Sequence, residues 1–127
     1  MSKATDQISG QIAWVYTEDL ATSVRFYRDA LGLAVWRDAG SAMVFETGPA
    51  SYLGVCQVFD ERVVQPEGGM ITLLSDDVDG VDAWYARLRA KGVEIAHPPE
   101  RLKQFGIYSF FCTDPNGYVI EIQSFLT

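Results

Sequence analysis

The sequence is poor in residues that bind metals or form covalent cross-links. It has one histidine, His97, and two cysteines, Cys56 and Cys112, among 127 residues. The two cysteines lie far apart and outside any Cys-x-x-Cys pair, and a chain of this length needs no disulfide to fold. Both sit among apolar neighbours, so we expect buried thiols rather than nucleophiles.

Long apolar runs and basic residues are also scarce. No run approaches the roughly 20 residues that span a bilayer, and residues 1–6 lack the apolar stretch of a signal peptide, so we expect a cytoplasmic protein without a membrane span. Ten basic against seventeen acidic residues give a net charge of −7, which repels nucleic acid and favours a cationic or neutral partner. The acidity also fits a surface that only keeps the protein in solution, and we prefer that interpretation.

The chain contains an internal repeat. Residues 19–27 begin with an acidic residue and end with two aromatic residues, and residues 77–85, which start 58 positions later, follow the same pattern. We therefore predict a single domain over residues 1–127, built from one module at about 8–60 and a second at about 69–126.

The first copy reads as a strand, a helix and three further strands. Residues 8–17 are rich in β-branched and aromatic residues, which favour a strand. Asp19 is placed to cap a helix and Gly32 to end it, with apolar residues between them at spacings of three and four. The remaining strands are predicted at 33–37, 41–47 and 51–59.

The second copy repeats this order. Asp79 is a plausible cap for a helix over about 80–91, and the sequence Asp-Pro-Asn-Gly at 114–117 predicts a tight turn between two strands. Residues 97–104 are expected to form an irregular, mobile loop. The strands of this copy are predicted at 70–75, 93–96, 106–113 and 118–125.

Two motifs resemble those of a known superfamily. Asp-Leu-x-x-Ser-x-x-Phe-Tyr-x-x-x-Leu-Gly-Leu at 19–33 and Asp-Pro-x-Gly-Tyr-x-x-Glu at 114–121 are similar to motifs of the vicinal-oxygen-chelate superfamily of glyoxalases, bleomycin-resistance proteins and extradiol dioxygenases. The resemblance covers the chain from about residue 10. It implies an α+β fold of two tandem βαβββ modules that curl around a cavity, often paired in a homodimer. It does not imply one activity, because a fold can carry many functions.

The resemblance also implies where a metal would bind. Metalloenzymes of the family use His, Glu or Gln on the first and last strands of each module, and the matching positions here are Ile12, Val55, Met70 and Glu121. Ile and Val have no donor atom, and the thioether of Met does not suit Mg, Mn, Fe(II) or Zn. Only Glu121 is a suitable ligand.

Neighbouring residues do not restore the metal site. A shift of one residue would replace Val55 by Gly54 or Cys56, and Glu46 on a nearby strand would raise the number of ligands only to two, where catalytic sites use three or more. His97 lies in the predicted loop and is expected to be exposed. We therefore predict no metal and no other cofactor, unless a partner chain contributes ligands.

Alternation along the strands defines a candidate ligand site. Side chains two residues apart share one face of a strand, so the family positions predict an apolar, aromatic cavity with few polar groups. On the strand at 106–113 the resemblance implies a register with Ile107, Ser109 and Phe111 inward and Tyr108, Phe110 and Cys112 behind the sheet, and a shift of one residue would exchange the two sets. The candidate ligand-binding residues are Trp14, Tyr16, Met70, Thr72, Ser109, Phe111, Glu121 and Gln123.

Three functions remain open. The first is a metal-independent binding protein of the bleomycin-resistance type, in which Trp14, Tyr16 and Phe111 stack on a small, partly aromatic or cationic molecule and Glu121 supplies the anionic contact. The second is a lyase, isomerase or dioxygenase of the same superfamily, with divergent metal ligands or with Glu121 as the catalytic general base or acid. The third is a non-catalytic regulatory or dimerisation module. Each of these aromatic residues could equally be ordinary core.

Overall fold

A computed structural model describes residues 7–126. The chain forms two four-stranded sheets, each with parallel and antiparallel pairs. This arrangement confirms the predicted α+β fold of two tandem modules. Within the described part of the chain, no helix has the length and apolar character that a membrane crossing requires.

The first module follows the predicted order of elements. Hydrogen bonds from the hydroxyl and the backbone N–H of Thr22 to the Asp19 carboxylate cap the first helix and lower the pKa of Asp19. Gly32, at a φ of +70°, follows the helix end as predicted. The sheet order is β1-β4-β3-β2, with β1 parallel to β4. The elements are β1 (Gln11–Thr17), α1 (Leu20–Arg25, continued by a π-helical turn at Phe26–Ala30), β2 (Val35–Asp38), β3 (Ala42–Gly48) and β4 (Ser51–Gln57).

The second module has the same topology, with the sheet order β5-β8-β7-β6. The predicted turn at 114–117 is confirmed, because the Gly117 N–H donates to the Asp114 carbonyl at 3.0 Å and Gly117 has a φ of +94°. A short 3₁₀ turn (Pro66–Gly68) precedes the module. Its elements are β5 (Met70–Leu74), α2 (Val78–Ala90), β6 (Glu100–Leu102), β7 (Ile107–Thr113) and β8 (Val119–Phe125).

Two expectations for this module were wrong. Helix α2 is capped by Asp77, whose carboxylate accepts a hydrogen bond from the Gly80 N–H at 2.8 Å, so the predicted cap Asp79 lies in the first turn instead. Residues 93–96 form no strand, and β6 lies further on, inside the stretch expected to be an irregular loop. The first error concerns a helix boundary, which local sequence patterns fix poorly, and the second concerns the place of a strand along the chain.

The helices pack on one side of the sheets and form a shared core. Tyr27 and Leu31 from the first helical segment and Leu88 from α2 are completely buried in the same cluster as strand residues of both modules. Both cysteines are buried and free, as expected, and burial raises the pKa of the Cys112 thiol to about 11. Cys112 and Phe110 lie in this core, which confirms the side of β7 predicted to lie behind the sheet.

A buried polar network joins the two modules at the turn between β7 and β8. The Tyr27 hydroxyl donates to the Asp114 carboxylate at 2.7 Å, and Asp114 also accepts from the backbone N–H groups of Asn116 and Tyr118. The Asn116 side chain donates to Ser23 at 2.8 Å. These contacts join residues of the two sequence motifs and hold one module against the other.

The opposite side of each sheet is rich in exposed apolar side chains. We call the side turned away from the helices the open face. On the first sheet it carries Trp14, which is 42% exposed, and on the second it carries Met70 and Phe111, which are 54% and 42% exposed. Exposed apolar side chains gathered on one face are characteristic of binding surfaces, so this face is the first place to look for a site.

Candidate functional site

Three of the predicted ligand residues line one cavity where the two sheets meet. Trp14 and Tyr16 from β1 and Met70 from β5 border an open cavity of about 540 Å³, and the connecting segment 61–69 supplies another part of its lining. Cavities of about 300–1,000 Å³ accept molecules of drug size. The wall is mostly apolar, and Arg62 and Glu61 from the connecting segment supply the charged groups.

The position of Trp14 depends on a glycine on the neighbouring strand. Trp14 lies opposite Gly54 in the parallel pairing of β1 and β4, and a Cβ atom added at Gly54 would overlap the indole ring. The indole therefore lies flat against the backbone of β4. Because Trp14 is still 42% exposed, it offers an aromatic surface to a ligand.

The rim of this cavity is held by the Tyr118 hydroxyl. Its oxygen accepts hydrogen bonds from the backbone N–H of Gln65 at 3.0 Å and of Tyr16 at 3.4 Å. Tyr118 is 9% exposed and follows the turn between β7 and β8. One side chain of the second module thus fixes both the edge strand of the first module and the connecting segment.

The polar candidates lie together on the open face of the second sheet. Glu121, which is 4% exposed, is opposite Thr72, and the Thr72 hydroxyl donates to its Oε1 at 2.7 Å. Gln123 is opposite Ser109 in the antiparallel pairing. Ser109 Oγ is buried and has no hydrogen-bond partner among the described residues. A buried hydroxyl without a partner is costly, so this part of the face can still accept a polar group.

Phe111 lies apart from the first cavity. It is opposite Glu121, but it borders a different cavity of about 570 Å³ at the outer edge of β7. The eight predicted residues therefore fall into three groups: the cavity with Trp14, the polar strip around Glu121, and the edge with Phe111. The sequence pattern identified their strand faces, but it could not separate these groups.

The donor atoms at the family's metal positions do not fit a metal ion. The strand pairing corrects the position predicted for β4. In the second sheet Glu121 is opposite Thr72, and in the first sheet the equivalent pair is Gly54 opposite Trp14. The counterpart of Glu121 is therefore Gly54. Val55, the residue predicted for this place, is instead completely buried in the core. Since alternate residues of a strand point to opposite faces, an error of one residue has this effect.

Other potential ligands are not gathered around Glu121. His97 is exposed, as expected. Residues 7–126 contain no group of three or more His, Cys, Asp or Glu side chains that could hold a metal ion. Glutamate alone is too few ligands for a divalent ion, so the residues present do not fit the metal that the resemblance implies.

Sequence reasoning missed a second aromatic surface. Trp36 on β2 and Tyr52 on β4 stack with their ring centroids 4.2 Å apart, and the Arg37 guanidinium lies 5.2 Å from the Trp36 ring. Tyr52 is opposite Ile12, so it belongs to the open face of the first sheet. Strand alternation from Ile12 could have found Tyr52 only if the pairing of β1 with β4 had been known.

Comparison with known proteins supports the fold. The sequence model of the Glyoxalase/Bleomycin resistance protein/Dioxygenase superfamily matches residues 8–122. No protein of curated function matches the sequence. A glyoxalase/bleomycin resistance protein/dioxygenase from Nocardioides is similar in structure, with a TM-score of 0.76 and 22% identity over 98% of this chain and 87% of the other.

Two proteins from Agrobacterium tumefaciens are also similar in structure. A lactoylglutathione lyase has a TM-score of 0.74 and 24% identity, over 95% of both chains. A protein of unknown function from strain C58 has a TM-score of 0.70 and 28% identity, over 98% of both chains. Structural similarity at these identities supports the fold and not an activity. The match over residues 8–122 shows that this chain belongs to the glyoxalase/bleomycin resistance protein/dioxygenase superfamily.

Proposed function

We propose that this protein binds a small, partly aromatic or cationic molecule without the help of a metal, in the cavity beside Trp14. The observation that carries the proposal is the placement of the Trp14 ring over Gly54. Gly54 stands at the position that provides a metal-coordinating side chain in metalloenzymes of the family. An aromatic ring there can hold a ligand but cannot coordinate an ion.

The cavity has the chemistry that such a ligand needs. Trp14 and Tyr16 offer ring faces, which attract planar groups by stacking and cations through the negative charge of the π system. Met70 supplies a flexible thioether side chain that adapts to ligands of different shape. The net charge of −7 favours a cationic over an anionic ligand at long range. Sequestration of a toxic compound, as in antibiotic resistance, is one use of this binding.

Binding can be tested by isothermal titration calorimetry, which does not depend on tryptophan fluorescence. We expect the cationic dye ethidium to bind with a stoichiometry of one per chain. Trp14→Ala should weaken binding by roughly 5- to 150-fold, because a stacked aromatic contact contributes about 1–3 kcal/mol. Trp36→Ala is the matched control, since Trp36 is equally exposed on the same sheet and lies outside the cavity wall. Equal affinities of the wild type and Trp14→Ala would refute the proposal.

A second function rests on Glu121. A carboxylate that is 4% exposed, with one hydroxyl donor 2.7 Å away, has the position of a general base or acid in a lyase or isomerase. Glu121→Gln keeps the size of the side chain and removes its basicity. Loss of turnover of a bound compound in this variant, with its affinity retained, would favour the enzyme over the binding protein. Elemental analysis of the purified protein tests the alternative with divergent metal ligands.

The active unit in this proposal is a homodimer in the cytoplasm. Apolar side chains of the open face that lie outside the cavity beside Trp14 support the dimer: Leu74 and Phe125 are 66% and 61% exposed, and a partner chain that covered them would remove them from water. Sedimentation equilibrium at micromolar concentration gives the assembly mass. A monomer there would leave the open face free and would remove the dimer from the proposal.

A further inference from the structure

The outer edge of β7 is only partly covered. Strand β6 pairs with the first three residues of β7, with Glu100 opposite Ser109 and Leu102 opposite Ile107, and the pairing ends there. The stretch 93–96, which was expected to be the neighbouring strand, runs beside the rest of β7 without pairing with it.

A proline explains why the pairing stops. Continuing the observed pairing by two residues would place Pro98 opposite Phe111, at a position whose N–H must donate to β7. Proline has no N–H, so this bond cannot form, and Pro99 next to it further restricts the backbone. The chain bends at Ala96 and His97 instead of continuing as a strand.

The interruption leaves backbone groups of β7 without partners. The Asp114 N–H donates to the Tyr118 carbonyl, which leads into β8. In an antiparallel strand the backbone N–H and C=O groups of successive residues point alternately to the two neighbouring strands. The N–H and C=O groups of Phe111 and Thr113 therefore point away from β8, and no hydrogen bond to them is found in the described part of the chain. Exposed strand edges of this kind readily pair with another strand.

These groups open into a cavity of about 570 Å³, which we call the edge slot. Its apolar lining comes from Val93 and Ile95, which pack against the core, and from Phe111 and Val119 of the second sheet. Arg89 lies at the slot with its guanidinium 5.4 Å from the Tyr85 ring. Glu94 also borders the slot; it is exposed, and it alternates with Val93 and Ile95 along the chain.

We propose that the edge slot binds the carboxy-terminal end of an extended peptide by strand addition. The backbone groups of Phe111 and Thr113 pair with the peptide backbone, the apolar walls accept aliphatic side chains, and Arg89 binds the terminal carboxylate. Arginine is suited to this because its guanidinium forms two parallel hydrogen bonds with a carboxylate. This site is separate from the cavity beside Trp14, so either proposal can fail alone.

The test uses the peptide acetyl-Ala-Leu-Val with a free carboxylate, titrated into the full-length protein and followed by amide chemical shifts. We expect saturable shifts centred on Phe111 and Thr113. The same peptide with an amidated C-terminus should bind about tenfold more weakly, because a charge-assisted hydrogen bond is lost. Chemical-shift changes centred on Trp14, or no binding at millimolar concentration, would overturn the proposal. Acetyl-valine that bound as tightly as the tripeptide would overturn it too, because the site would then recognise a small amide-carboxylate compound and not a peptide.

Matched variants separate the slot from general charge effects. Arg89→Gln should weaken binding about tenfold, while Arg101→Gln should not change it, because Arg101 makes the same ring contact with Tyr108 away from the slot. Pro98→Ala restores the missing N–H and should let the chain pair with Phe111, which would reduce binding and protect the Phe111 amide from exchange. Equal losses in the two arginine variants, or full binding by Pro98→Ala, would contradict the proposed geometry.

Discussion

Replacing Tyr27 by phenylalanine removes one hydroxyl from the contact between the two modules and leaves the ring in place. The ring is completely buried and packs edge-on against Phe26, with centroids 5.0 Å apart, so the substitution creates almost no cavity. What is lost is the 2.7 Å hydrogen bond to the Asp114 carboxylate. Burial, together with the nearby Asp114 carboxylate, raises the pKa of Tyr27, so the hydroxyl is protonated and is the donor at neutral pH.

The magnitude follows from the charge and burial of the acceptor. A hydrogen bond to a charged group contributes about 1.5–3 kcal/mol, and Asp114 is 4% exposed, so water cannot replace the lost donor. Two backbone N–H donors remain on Asp114, which keeps the loss moderate. We expect Tyr27→Phe to reduce the free energy of unfolding by about 2 kcal/mol. With an urea m-value of about 2 kcal/mol/M, the midpoint should fall by about 1 M at unchanged m.

Urea titration followed by circular dichroism measures this change, and the chain offers a matched control. The Tyr108 hydroxyl donates to Asp82 at 2.6 Å, but this pair is exposed to solvent. Tyr108→Phe makes the same chemical change and should cost less than about 0.5 kcal/mol, because water takes the place of the hydroxyl. Equal losses in the two variants, or a loss below 0.5 kcal/mol in Tyr27→Phe, would refute the view that the buried network joins the modules.

The remaining predictions concern the second helix and the buried thiol. Asp77→Ala should lower the free energy of unfolding by about 1 kcal/mol, and Asp79→Ala by less than half of that, because only Asp77 caps the helix. Chemical denaturation of both variants measures the two losses. A larger loss for Asp79→Ala would show that Asp79 is the cap after all. Burial raises the pKa of Cys112 from 9.0 to about 11, so the folded state holds this proton more tightly than the unfolded state does, and the resulting stability is present below pH 9 and is lost as the pH rises towards 11. Between pH 9 and 11 the midpoint of urea unfolding should therefore fall more steeply for the wild type than for Cys112→Ala, and parallel pH profiles would contradict this.

The sequence determined the repeated architecture of this protein. Strand alternation, the apolar spacing of the helices, the Asp19 cap, Gly32 and the turn at 114–117 each express a local preference of the backbone, and such preferences act wherever the chain lies. The same alternation identified the side of β7 that faces the core. The lack of suitable donor atoms at Ile12 and Met70 also follows from the sequence alone, because side-chain chemistry does not depend on the fold; that no metal binds stays a prediction.

Other features were decided only by the tertiary structure. Three features of the site depend on which strands pair and in which register, and this pairing joins residues far apart in sequence. They are the equivalence of Gly54 with Glu121, the cavity that Trp14 shares with Met70, and the separation of Phe111 from that cavity. The end of β6 likewise depends on its surroundings, because Pro98 ends the pairing only in the register in which β6 aligns with β7. Local patterns specify elements and faces, whereas the distances that create a binding site arise when the two modules pack together.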